Sequence, residues 1–106
     1  MTQQRLTELF AEFTQQQAYI LTKKNTDYAN TDALSNFKSV ACILNTTPEL
    51  VTANLIGVKL ARLGVLLNSD KSPVNESVLD SILDLANYAF LLHCCVIDTH
   101  PQPTNV

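Results

Sequence analysis

The sequence predicts an all-α protein: an antiparallel four-helix bundle completed by oligomerisation. Three observations carry this. There are only two glycines among 106 residues, aromatics are few at 7%, and nowhere do β-branched residues alternate with polar ones. Apolar residues recur instead at helical spacing in four stretches joined by short polar connections, the pattern of antiparallel neighbours. Hydrophobic residues make up 46% and charged residues only 16%, below the usual quarter. One domain of this length buries about 60–65% of its unfolded surface by itself. So few charges cannot cover the rest, which points to apolar surface held against another subunit.

The first helix is expected from about residue 3 to 22, with Thr2 as N-cap and Leu6, Leu9, Phe10, Phe13, Ala18, Ile20 and Leu21 on its apolar side. The glutamines at 15–17 form an exposed turn or a polar interface. Lys23 to Thr31, rich in Asn and Thr, reads as a loop. Thr31 or Asp32 is the expected cap of a second helix, with Ala33, Leu34, Phe37, Val40, Ala41 and Leu44 inward. Asn45-Thr46-Thr47-Pro48 ends that helix and starts a third, with Thr47 as N-cap and Pro48 at the first helical position.

The third helix, roughly 48 to 67, is apolar almost all round, and such a helix is buried on several sides. Gly57 and Gly64, seven apart on one side, would let another helix approach closely; as tolerated helical glycines they would cost about 1 kcal/mol each. Residues 68 to 74, with Ser69-Asp70 and Pro73, form a turn. The fourth helix runs from about 75 to 97. The domain is set at 1–99, with 100–106 as a flexible C-terminal tail carrying two prolines.

Composition narrows the function classes. A net charge of −3 gives no basic footprint for nucleic acid or an anionic membrane. Three cysteines, two of them adjacent, are no disulfide framework and fit a reducing cytoplasm. The first ten residues carry Arg5 and Glu8, unlike a signal peptide. Lys59 and Arg62, or Asp84 and Asn87, interrupt the long apolar runs, so no membrane span is expected.

Chemistry concentrates on the fourth helix. At 100° per residue, Glu76, Asp80, Asp84 and Asn87 fall within an arc of about 80°. No basic residue on that helix offsets them, and Leu79, Leu83, Phe90 and Leu91 flank the stripe. Like charges one turn apart cost a few tenths of a kcal/mol each. Helix-dipole preference accounts for Glu76 and Asp80 near the N-terminus but not for Asp84 and Asn87. A divalent cation such as Mg²⁺, which takes oxygen ligands, or basic partners would offset the repulsion. Lys59 and Arg62, three apart and the only charges of the third helix after Glu49, are candidates to pair with the stripe or hold a phosphate; snorkelling from a buried helix is the plainer account.

Lys24, Asp27 and Tyr28, followed by Asn36 and Phe37, offer a cation, a carboxylate, a ring and an amide. Those types suit a nucleotide, although residue types alone favour an ordinary polar loop with a core phenylalanine. His93, Cys94, Cys95 and His100 match no closed zinc site, because adjacent cysteines ligate one metal poorly. Small buried apolar cysteines are the simpler reading. Glycine-rich phosphate loops, GxSxG and HExxH motifs are missing from the sequence.

Four pieces in order carry a resemblance: Lys24-Asn25-Thr26-Asp27-Tyr28, Ser35-Asn36-Phe37-Lys38, Val58-Lys59-Leu60-Ala61-Arg62-Leu63, and Asn75-Glu76-Ser77 through Asp80, Asp84, Asn87 and Tyr88. Together the chain resembles the mostly phage-encoded "nucleotide modification associated" domain, similar in turn to the all-α, MazG-like and dimeric-dUTPase nucleoside triphosphate pyrophosphatases. The resemblance implies a phage-type nucleotide-metabolism protein in the cytoplasm of a bacterial host. It would be a homo-oligomer, dimer or tetramer, and bind nucleotide rather than nucleic acid or membrane. It also implies catalytic and Mg²⁺-binding roles for Glu76, Asp80 and Asp84. Substrate binding would fall to Lys24, Asp27, Tyr28, Asn36, Phe37, Lys59, Arg62 and Asn87. Two departures stand out. Asn87 replaces an acid, and Lys59-x-x-Arg62 stands where the pyrophosphatases carry E-x-x-E. Half of that metal cage is missing, so a non-catalytic nucleotide-binding, sequestering or counter-defence protein is the alternative. A structural oligomer with a polar stripe that fixes helix register is a third.

Overall fold

The structure, a computed structural model, describes residues 1–27, 32–69 and 76–100; the side chains of residues 24–27 and 76 lie outside that description. Four helices make up the described residues, with no strand among them: α1 Gln3–Asp27, α2 Ser35–Leu44, α3 Pro48–Leu67 and α4 Glu76–Thr99. The all-α expectation holds. By compactness the chain divides into two units, Met1–Ala33 and Leu34–Val106.

The first unit is essentially α1. Thr2 caps it as expected, its Oγ1 accepting from the Arg5 N–H at 3.0 Å. The helix runs five residues further than its apolar periodicity suggests. Lys24 and Asp27 are therefore on a helix and not in a loop, and Tyr28 lies outside the described residues. The physical reason is local: Lys23 to Asp27 contains neither Gly nor Pro, and Asn and Thr are weak helix formers, not breakers.

In the second unit, α2 begins at Ser35. Leu34 stands at its N-cap position, two residues beyond Asp32; Thr31 lies outside the described residues. The end of α2 follows expectation. Asn45 takes the left-handed conformation at φ 55°, and the Thr46 N–H reaches back to the Ala41 carbonyl at 2.9 Å, the six-to-one bond of a Schellman turn. Thr47 then caps α3, accepting from the Leu50 N–H at 3.2 Å, with Pro48 at the first position.

Helices α3 and α4 pack against each other as an antiparallel pair, and α2 packs on α3. Three contacts set the α3–α4 register. Glu49 meets Thr99, Thr52 meets Cys95, and Lys59 meets Asp84, so numbers rise on one helix as they fall on the other. The core of this unit is small: Leu34, Ala41, Val51, Leu63, Val78, Leu83 and Cys95 are its buried apolar residues. Ala33, Val40 and Leu44, expected inward on α2, are exposed. Val40 and Leu44 line an open groove instead.

Candidate functional site

Both Lys59 and Asp84 come from the middle of their helices, where the backbone is fixed by the antiparallel packing. Lys59 Nζ lies 2.9 Å from Asp84 Oδ2, and both side chains are about two-thirds covered, at 27% and 34% exposure. The basic residue of α3 thus meets the acidic stripe of its own chain. Stepping three residues along α3 and four back along α4 brings Arg62 level with Asp80. Both are exposed, and among the described residues neither forms an ion pair. Four charges, two from each helix, therefore occupy one flank of the helix pair over about one turn.

Asn87, one turn beyond Asp84 on that flank, is 5% exposed, and both its side-chain nitrogen and its oxygen are buried without a hydrogen-bond partner. An orphaned buried polar group costs about 1–3 kcal/mol, so this amide is the least satisfied group described in the chain. The flanking leucines behave unequally. Leu83 is buried and Leu91 half-buried, whereas Leu79 and Phe90 are about half exposed.

Asn36 and Phe37 belong to a different feature, a groove of about 400 Å³ between α2 and α3. Val51 and Leu55 form its α3 wall. Lys59 follows Leu55 by four residues, so the groove ends about one turn, roughly 6 Å, from the ion pair. Sequence reading missed Asn54 and Thr46, which line this groove beside Asn36. The signal for Asn54 was present: a carboxamide in the middle of an otherwise apolar helix.

Among the described residues no three His, Cys, Asp or Glu side chains converge on a point where a metal ion could sit. Asp84 is committed to an ammonium group, Asp80 stands one turn away, and the Glu76 side chain lies outside the description. Of the Cys/His group, Cys95 is buried as expected, Cys94 is half-buried, and His93 and His100 are exposed. Cys95 is buried, its Sγ 3.6 Å from the Thr52 hydroxyl, which donates to the Pro48 carbonyl at 2.8 Å. His93 stacks on Phe90, and burial raises the Cys94 thiol above its ordinary pKa.

A second ionic contact, Lys38 Nζ to Asp98 Oδ2 at 2.9 Å, ties α2 to the C-terminal end of α4. Nearby, the Thr99 hydroxyl donates to Glu49 and holds its carboxyl below the usual glutamate range, with smaller help from the Glu49 backbone N–H, Thr47 and the charge of His100. The class defined so far is an all-α protein with a compact charged flank beside an apolar groove. Comparison with known families, curated proteins and solved structures returns no match for the chain.

Proposed function

We propose that the protein binds a nucleotide on the flank that carries Lys59, Arg62, Asp80, Asp84 and Asn87. The observation that carries this reading is the buried, unpartnered Asn87 amide one turn from a lysine–carboxylate pair. A ligand with both hydrogen-bonding and anionic groups would satisfy the first and compete for the second. Arg62 and Lys59 would take phosphate oxygens, Arg62 being free to do so and Lys59 exchanging Asp84 for phosphate. The adjoining groove, with Phe37 on its wall and Asn36 and Asn54 at hand, suits an uncharged planar base: a ring for stacking and amides for its polar edge. Cytoplasmic, phage-type nucleotide metabolism is the setting that the four sequence pieces suggest.

Binding without turnover is favoured over pyrophosphohydrolysis by one specific observation. The carboxylate best placed to hold metal or water, Asp84, is neutralised by Lys59. Hydrolysis would require a metal or a free base to activate water, and of the described carboxylates of the stripe this leaves only the exposed Asp80. The deciding experiment is a thermal-shift panel of nucleoside mono-, di- and triphosphates, with and without Mg²⁺, run beside a pyrophosphate-release assay. A raised Tm with one class of nucleotide and no release supports the binding reading. Mg²⁺-dependent release reinstates the enzyme reading. Silence in both assays rejects nucleotide altogether.

A further inference from the structure

The charged flank balances charge for charge. Lys59 and Arg62 stand against Asp80 and Asp84, so its described charges sum to zero. Beyond those two cations, the lysines and arginines described in Leu34–Val106 come down to Lys38. Lys38 is held by Asp98 at 2.9 Å, towards the far end of α4. The whole chain carries a net charge of −3. An anion arriving on this flank therefore meets two cations and no wider basic field.

Spacing sets how much anion those two cations can hold. Lys59 and Arg62 are three residues apart, which puts their Cβ atoms about 5–6 Å from each other on one side of α3. Both heads can reach the oxygens of a single phosphate group, the ammonium as a compact charge and the guanidinium through paired N–H bonds. Once Lys59 turns to that phosphate, Asp84 is a carboxylate without its partner, beside the bound anion. Asp80, level with Arg62, is another. A second or third phosphate would find no described cation and would lie among these carboxylates. Such repulsion is stronger where covering side chains lower the effective dielectric than in open water.

The layout along the helices fits the same length of ligand. The groove with Phe37, Asn36 and Asn54 ends at Leu55, about one turn before Lys59. Asn87 follows Asp84 by three residues, which in the antiparallel register sets it level with the stretch of α3 between Leu55 and Lys59. Both polar atoms of its amide are buried and unpartnered. Groove, orphaned amide and cation pair thus succeed one another as base, sugar and first phosphate do in a nucleotide.

We infer that the ligand of this flank carries one phosphate group: a nucleoside monophosphate, and not the triphosphate that the resemblance to pyrophosphatases implies. The inference rests on the nucleotide reading above and narrows it. The case for a longer phosphate chain is the amino end of α4, which lies past Arg62 and whose dipole favours anions. That helix opens on an acid, Glu76, and carries Asp80 one turn later, so its own carboxylates already answer the dipole.

The test is calorimetric titration of the full chain, at low salt and in EDTA, with the nucleoside, mono-, di- and triphosphate of each common base. The monophosphate should bind roughly tenfold or more tightly than the triphosphate of the same base. Asp80→Asn, an exposed and nearly isosteric change, should narrow that gap by strengthening the triphosphate more than the monophosphate. Arg62→Ala should bring the monophosphate down towards the affinity of the nucleoside. A triphosphate that binds as tightly as the monophosphate overturns the inference and leaves the nucleotide reading standing. So does a gap that Asp80→Asn leaves unchanged. Failure of every member of the series to bind removes the nucleotide reading itself, and the inference with it.

Discussion

The two flanks of the α3–α4 pair are built from the same two helices and differ in almost everything else. One carries Lys59, Arg62, Asp80, Asp84 and Asn87, with Asn87 buried and the central ion pair largely covered. The other carries small and aliphatic residues, and its leucines are more than half exposed. Ordinary folding places these the other way round, with charge in water and leucine out of it. The inversion sets the two flanks apart: largely covered polar groups on one, uncovered aliphatic side chains on the other.

The largest effect is expected where the flanks share their support. Leu63, 5% exposed, belongs to the packed line between them, and Leu63→Ala should cost about 2–5 kcal/mol. Thermal unfolding would show a fall in Tm together with loss of nucleotide protection. Survival of that protection would mean that the charged flank is supported independently of the packed line.

Asn87→Leu sharpens the comparison in the opposite direction. Removing an orphaned buried amide should leave stability unchanged or raise it by about 1 kcal/mol, while abolishing the nucleotide-induced Tm shift. A clear loss of stability would show that Asn87 has a structural partner after all.

Lys59→Met should have a smaller effect on stability, about 1 kcal/mol or less, since the pair keeps a third of its exposure and is screened accordingly. A double-mutant cycle with Asp84→Asn measures that coupling directly. The same variants should weaken binding of a triphosphate more than that of a nucleoside, read by titration calorimetry.

The smallest effect concerns the end of the pair. Glu49 is held below its ordinary pKa by the Thr99 hydroxyl, so its contribution is complete above the ordinary glutamate range and fades as pH falls through the lower, folded value. Thr99→Val should flatten that acid limb of the stability curve slightly, without altering ligand binding. A change in binding would place the Thr99 contact in the charged flank instead of at its margin.

The sequence by itself determined which stretches are helical and most of where they stop. Thr2 and Thr47 cap, Pro48 starts α3, and Asn45 ends α2, because each acts on backbone groups within four residues of itself. It also determined that Glu76, Asp80, Asp84 and Asn87 share an arc, since helical angle follows from residue number alone. The overrun of α1 to Asp27 and the late start of α2 at Ser35 were hidden because polar residues mark loops only statistically.

Tertiary structure alone decided three further things: that Lys59 neutralises Asp84 of its own chain, that Asn87 is orphaned, and that Asn36 and Phe37 belong to a groove one turn away. Each depends on the register between helices, which side-chain packing sets and no single helix contains. For the same reason α3 reads in sequence as apolar all round, and only the direction of α4 divides it into a packed line, a charged flank and a bare one.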